Sequence, residues 1–143
     1  MSVRNFALIF GILFLVTGIA GFIPGLLMDP GATAPALSVH HGSGMLLGLF
    51  PTNIVHDLVH VLFGVWGIAV YRSYGGALTY ARAVAVIYAL LTVMGLIPAL
   101  STTFGLVPLY GYDIALHAAI AVVAAYFGFV KPREVVSPTP RHA

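Results

Sequence analysis

Four long apolar stretches run along this chain, separated by short polar or proline-containing segments. A helix needs about 20 mainly apolar residues to cross the hydrocarbon layer of a bilayer. In lipid, the backbone polar groups must be paired within the segment itself, so isolated runs of this kind form helices. The pattern predicts an all-α integral membrane four-helix bundle, with spans at about residues 5–28, 52–71, 81–100 and 112–130.

These spans predict one transmembrane domain over residues 1–130, followed by a flexible cytoplasmic tail at 131–143. The composition agrees, because 60% of the 143 residues are hydrophobic and 7% are charged, whereas soluble domains carry about 25% charged residues. The chain has no Cys, which excludes disulfides and thiolate metal sites. No basic groove with interleaved aromatic residues is visible, so we expect the lipid bilayer as partner and no nucleic acid.

The basic residues fall at the N-terminus, between the second and third stretches, and at the C-terminus: Arg4, Arg72, Arg82, Lys131, Arg133 and Arg141. Lys and Arg accumulate in the cytoplasmic segments of membrane proteins. With four spans, these three places share one side of the membrane. The pattern therefore predicts a multi-pass protein of the bacterial inner membrane with both termini in the cytoplasm.

Similar segments recur in the two halves of the chain. The segment Gly48-Leu-Phe-Pro51 precedes His60 by the same distance as Gly105-Leu-Val-Pro108 precedes His117. In the same way, Gly21-Phe-Ile-Pro24 resembles Gly95-Leu-Ile-Pro98. Repeats of this kind are common in membrane proteins, and they predict two parallel-repeat helical hairpins.

Polar side chains share one face of the second predicted helix and one face of the fourth. Steps of three and four residues place Asn53, His56, Asp57 and His60 together on the former, and Asp113 and His117 on the latter. An Asp at the bilayer centre costs on the order of 3 kcal/mol, so such residues usually pair or line a functional site. The two faces predict an intramembrane His/Asp site near the extracytoplasmic side.

Three interpretations of this site remain open. It could bind a divalent metal (Zn, Fe or Mn) through His56, His60, Asp113 and His117, with Asn53 and Asp57 orienting the ligands. It could instead bind haem, with His60 and His117 as axial ligands and with room for the ring beside the small residues of both faces. In the third interpretation the protein is an accessory subunit of a larger membrane complex, and the polar residues form a hydrogen-bonded packing network. We identify no catalytic residues, and an enzyme is the less favoured class.

The patterns Asn53-x-x-His-x-x-x-His60 and Asp113-x-x-x-His117 resemble those of a bacterial family of small four-helix membrane proteins. That family is common in actinobacteria and is known only as a domain of unknown function. The resemblance covers about residues 5–130 and implies the same fold and topology, without an activity. Many members have Asn after the first His of the second helix, where this chain has Asp57.

Overall fold

The computed structural model describes residues 1–131 and is mostly helical. The helices are α1 (Val3–Gly21), α2 (Ile54–Val70), α3 (Tyr74–Leu96) and α4 (Tyr112–Ala125), and a π-helical turn (Tyr126–Val130) extends α4. Within the described residues, three helical segments are long and apolar enough to cross a membrane: Val3–Gly21, Tyr74–Leu96 and Tyr112–Val130. Helix α2 is also apolar but has 17 residues, the lower end of the usual range for a span.

Two helix ends differ from the sequence-based boundaries, and proline explains both. Helix α1 ends at Gly21 instead of about Met28, because Pro24 begins a 3-10 turn and its ring cannot continue an α-helix. Helix α3 ends at Leu96 because Pro98 begins a corresponding turn.

The start of α3 also differs from the prediction. The helix begins at Tyr74, well before the predicted start at Ala81. Ser73 precedes it, and its hydroxyl oxygen accepts a hydrogen bond from the Gly76 N–H at 3.2 Å. This N-cap satisfies one of the free amides of the first turn, so the helix includes polar residues that hydropathy alone assigns to the loop.

Helix α1 packs mainly against α2, and α3 packs mainly against α4. Glycines allow the first pair to approach closely. A Cβ atom on Gly64 would lie 2.6 Å from the backbone nitrogen of Leu15, and one on Gly11 would lie 2.8 Å from the backbone nitrogen of Ile68. The two helix backbones are therefore in contact, as in small-residue packing in membranes.

The interior of the bundle is aromatic and the exterior is apolar. Phe6, Phe14, Tyr80, Tyr88 and Phe127 are buried in one core cluster. Large apolar side chains cover the outward faces, with more than half of the surface exposed for Leu62, Val86, Leu90, Val122 and Phe129. An exterior of this composition would be unfavourable in water and indicates a membrane protein.

The structure is mostly helical, as predicted, and it also has a small sheet in the loops at the end of the bundle opposite the N-terminus, which the sequence analysis did not predict. Strands β1 (Leu27–Met28), β2 (Gly44–Leu46) and β3 (Phe50–Thr52) pair antiparallel in that order. Strands of two or three residues are too short to show an alternating pattern in the sequence. The segments between α1 and α2 (residues 22–53) and between α3 and α4 (residues 97–111) cover this end of the bundle, and together they are called the outer cap.

The opposite end of the bundle is basic. Arg4 lies in the first turn of α1, Arg72 lies between α2 and α3, and Lys131 follows α4. Arg82 on α3 also lies at this end, and its Nε donates a hydrogen bond to the Gly128 carbonyl oxygen at 2.9 Å. The predicted tail lies outside the described residues, apart from Lys131.

Candidate metal centre

Three histidines meet inside the bundle at the end that carries the outer cap. His56 and His60 lie one turn apart on α2, and His117 lies on α4. Each can offer a ring nitrogen within 4.8 Å of those of the other two. The ring centroids of His56 and His60 are 4.6 Å apart, and those of His56 and His117 are 6.0 Å apart. The structure therefore brings together three of the four predicted metal ligands.

The cluster is shielded from solvent, and its ring nitrogens do not all have hydrogen-bond partners. His56 and His117 are 5% and 2% exposed, whereas His60 is half-buried. Within the described part of the chain, the His60 Nδ1 is buried without a hydrogen-bond partner. A buried polar atom without a partner costs about 1–3 kcal/mol, so a ligand bound at the His60 ring would stabilise the site.

Asp113 approaches the cluster through His117. Its Oδ2 lies 3.4 Å from the His117 Nδ1, and both side chains are buried. A carboxylate beside Nδ1 favours the tautomer that is protonated there, which leaves the lone pair on Nε2. This is the arrangement by which carboxylates orient metal-binding histidines. Asp113 thus contacts the His117 ring and is not one of the three residues whose nitrogens converge.

Asp57 points toward α1 and away from the three histidines. Its Oδ1 accepts a hydrogen bond from the Thr52 hydroxyl at 2.5 Å. A Cβ atom on Gly21 would overlap the Asp57 carboxyl group, so α1 needs glycine at that position. Among residues 1–131, no hydrogen bond or ion pair links Asp57 to the three histidines, so its orienting role stays a prediction. Its hydrogen-bond partner is Thr52, which the sequence did not single out.

Asn53 fixes the start of α2 beneath the outer cap. Its Oδ1 accepts from the His56 N–H at 3.0 Å, which makes it the N-cap of the helix. Its Nδ2 donates to the carbonyl oxygens of Val39 and Leu106, at 3.1 and 2.8 Å. The fully buried Asn53 therefore positions the backbone of His56 and joins both outer loops to α2.

We expect Asn53→Ala to destabilise the protein by about 2–3 kcal/mol, since it removes the N-cap and two buried hydrogen bonds. Asn53→Ser keeps a capping oxygen and loses only the two donated hydrogen bonds, so we expect a smaller loss. Thermal unfolding in detergent, followed by circular dichroism, would measure both. Equal stability of wild type and Asn53→Ala would contradict this role.

Two aromatic residues from other helices border the cluster. The ring of Phe14 on α1 stacks on His60, with centroids 5.6 Å apart and planes at 17°. The ring of Tyr88 on α3 meets His117 edge to face at 4.9 Å. Neither residue was predicted, because aromatic side chains are common along both helices and only tertiary packing selects these two.

The space expected for a haem ring is filled by helix packing. A Cβ atom on Gly67 would lie 2.7 Å from the Ala7 carbonyl oxygen, and Gly64 contacts the backbone of Leu15. On α4, Ala124 is fully buried and Ala121 is 8% exposed. These small residues therefore accommodate neighbouring helices.

The fold and the site define a small helical membrane protein with a buried three-histidine cluster. The chain belongs to the family described as Domain of unknown function (DUF4383), whose family model matches residues 4–130. This confirms the family resemblance that the sequence indicated. Comparison with curated proteins and with solved structures gives no match.

Proposed function

We propose that this protein binds one transition-metal ion through His56, His60 and His117. The observation that carries the proposal is the convergence of three imidazoles with nitrogens within 4.8 Å of one another. Two nitrogens bound to one metal at about 2.0–2.1 Å each lie at most about 4.2 Å apart, so small rotations of the imidazole rings would bring the three nitrogens to one ion. The buried His60 Nδ1, which has no hydrogen-bond partner among the described residues, supports it further, because the polar atoms of a purely structural cluster are normally paired.

The donor set favours some metals over others. Imidazole nitrogen suits Zn and Fe, while Mn prefers carboxylate oxygen. Since Asp113 lies behind His117, the site offers three nitrogens, and we place Zn and Fe ahead of Mn. Three protein ligands leave one position of a tetrahedral site open. Haem is the weaker candidate, because the small residues that would accommodate its ring pack against helices.

Metal analysis of the purified protein, together with its absorption spectrum, tests this proposal directly. We expect a bound transition metal and no Soret band. A Soret band would favour the haem interpretation, and the absence of both metal and haem would leave the proposal without support.

Asp113 should strengthen metal binding without being a ligand. We expect Asp113→Asn to weaken metal affinity about 10–100-fold, the usual effect of losing a carboxylate that orients a ligand histidine. Competition with a chelator of known affinity would measure the change. Asp57→Asn is the matched control, because Asp57 is also a buried carboxyl group at this end of the bundle but faces α1. This substitution should leave the metal affinity within about threefold of wild type.

We also propose that the basic end faces the cytoplasm, so that the metal site lies toward the extracytoplasmic side of a bacterial inner membrane. Arg4, Arg72, Arg82 and Lys131 at one end of the bundle support this orientation, because positive residues concentrate on the cytoplasmic side. The His cluster and the outer cap would then face the opposite side.

The two hairpins are proposed to be parallel repeats. Both α1 and α3 end before a proline that begins a 3-10 turn. In addition, the pairs Leu47-Gly48 and Phe104-Gly105 both have positive φ values, of 53° and 73° and of 60° and 86°. A non-glycine residue with positive φ is uncommon, so its recurrence at equivalent places supports a common origin for the two halves.

A second candidate is an accessory subunit whose polar residues serve packing. The hydrogen bonds of Asn53 to both outer loops favour it, because they join the halves without any ligand. The apolar outward faces could then contact other membrane subunits as well as lipid. Under this hypothesis, the metal content of wild type and of histidine variants would be equally low.

A further inference from the structure

A cleft leads from His60 and His117 to the apolar exterior of the bundle. It lies between α1 and α4, two helices that make few contacts with each other, and it encloses about 350 Å³. Phe10 and Phe14 form one wall, and Leu116 and Ile120 form the other. A volume of this size lies within the range of small-molecule sites in proteins.

The inner end of the cleft is polar, while its walls are not. Thr17, His60 and His117 are the polar side chains among its lining residues, and none of the lining residues is charged. His60 retains a buried Nδ1 atom without a hydrogen-bond partner. The cleft therefore suits a neutral, apolar molecule with a hydrogen-bond acceptor at one end.

The depth of the polar end restricts the occupant further. His60 lies six residues after the start of α2 at Ile54, which is about 9 Å below the outer end of the helix at 1.5 Å per residue. Charged lipid headgroups stay at the membrane interface, and an uncompensated anion at this depth would be costly. A phospholipid would thus bring only its acyl chains to the histidines, which would leave their nitrogens unsatisfied.

We propose that the cleft binds a lipid-soluble quinone, with its ring between the aromatic side chains of α1 and the apolar side chains of α4. One carbonyl oxygen would face His60 and His117, and the tail would extend into the bilayer. A quinone carbonyl is neutral and accepts hydrogen bonds, and its flat ring matches a wall that includes Phe10 and Phe14. The inference goes beyond metal binding, because a His60 N–H can donate to the carbonyl with or without an ion.

Photolabelling of the full chain in phosphatidylcholine nanodiscs tests this assignment. The probe is an azidobenzoquinone with a decyl tail, and a decyl azide without the ring is its control. We expect the quinone probe to label peptides of α1 and α4, and excess decylubiquinone to suppress the labelling. Labelling of the same peptides by the ringless probe to an equal extent would overturn the proposal, since the cleft would then bind any alkyl chain.

Two substitutions on α4 provide a matched pair. Ala119 lines the cleft from its rim, so Ala119→Phe fills the space, and we expect labelling to fall at least about tenfold. Val122 is 70% exposed and does not line the cleft, so Val122→Phe should label like wild type. Labelling that is unchanged in Ala119→Phe would overturn the proposal.

Metal content measured in the same preparations separates the two hypotheses. Quinone labelling that follows this pattern in protein without metal would support the cleft and contradict the metal site. Bound metal, together with labelling that is unchanged in Ala119→Phe, would support the metal site and contradict the quinone cleft.

Discussion

The purified wild-type protein should retain about one transition-metal ion per chain, and His117→Gln should retain less than about a tenth of that amount. Removing one of three ligands leaves two imidazoles from one helix, which hold an ion weakly. We expect His60→Gln to behave in the same way, because its ring nitrogen belongs to the same group of three. Elemental analysis by mass spectrometry after dialysis against a weak chelator would measure the metal content.

The matched control for this experiment is His41→Gln. His41 lies in the outer loop and is not one of the three clustered histidines. Its substitution should leave the metal content unchanged, whereas an equal loss in His41→Gln and His117→Gln would show that the ion binds elsewhere. Gel filtration and circular dichroism would establish that the variants remain folded, so that a loss of metal reflects the site itself.

The second large effect concerns the contact between α1 and α2. We expect Gly64→Ala to destabilise the protein by about 2–3 kcal/mol, because the new methyl group would meet the backbone of Leu15 at 2.6–2.7 Å and force the helices apart. Intrinsic helix propensity acts in the opposite direction, since Ala is favoured over Gly by about 1 kcal/mol. Packing therefore decides the sign, and thermal unfolding in detergent would measure it.

Gly75→Ala is the control for this prediction. Gly75 lies in the first turn of α3 and has open space where a Cβ atom would be placed. The same substitution there should be neutral or stabilising by up to about 1 kcal/mol. If Gly64→Ala and Gly75→Ala had the same stability, the close approach of α1 to α2 would not be important for this fold.

Hydropathy was sufficient to predict the four helices, because membrane spans need a length of apolar sequence that few other structures share. The predicted ends were less accurate. The sequence remains apolar to Met28, so hydropathy predicted a helix beyond Pro24, where an α-helix cannot continue. The short sheet of the outer cap was not predicted, because strands of two or three residues carry no alternating pattern that the sequence could show.

The candidate site was predicted in part. Helical spacing placed His56 and His60 on one face, and similarity between the halves singled out His117. Sequence spacing could not distinguish a metal ligand from a residue that orients one, because Asp113 has the same spacing to His117 as His56 has to His60. The contact between Asp113 and His117 is local, because the two residues lie one turn apart on α4. Only the packing of α4 against α2 decides that His117, and not Asp113, converges with the histidines of α2.

The sequence by itself determined that this protein is helical and apolar, where its positive charge lies, and which polar residues its helices carry inside the membrane. Those properties are local, because they depend on spacing along one helix and on the cost of burying charge in lipid. Tertiary structure alone decided which nitrogens converge, that Asp57 faces α1, and that a cleft leads from His60 to the apolar exterior of the bundle. These features depend on the rotation and separation of whole helices, and for α1 and α2 the contact of Gly64 with Leu15 sets how closely they approach.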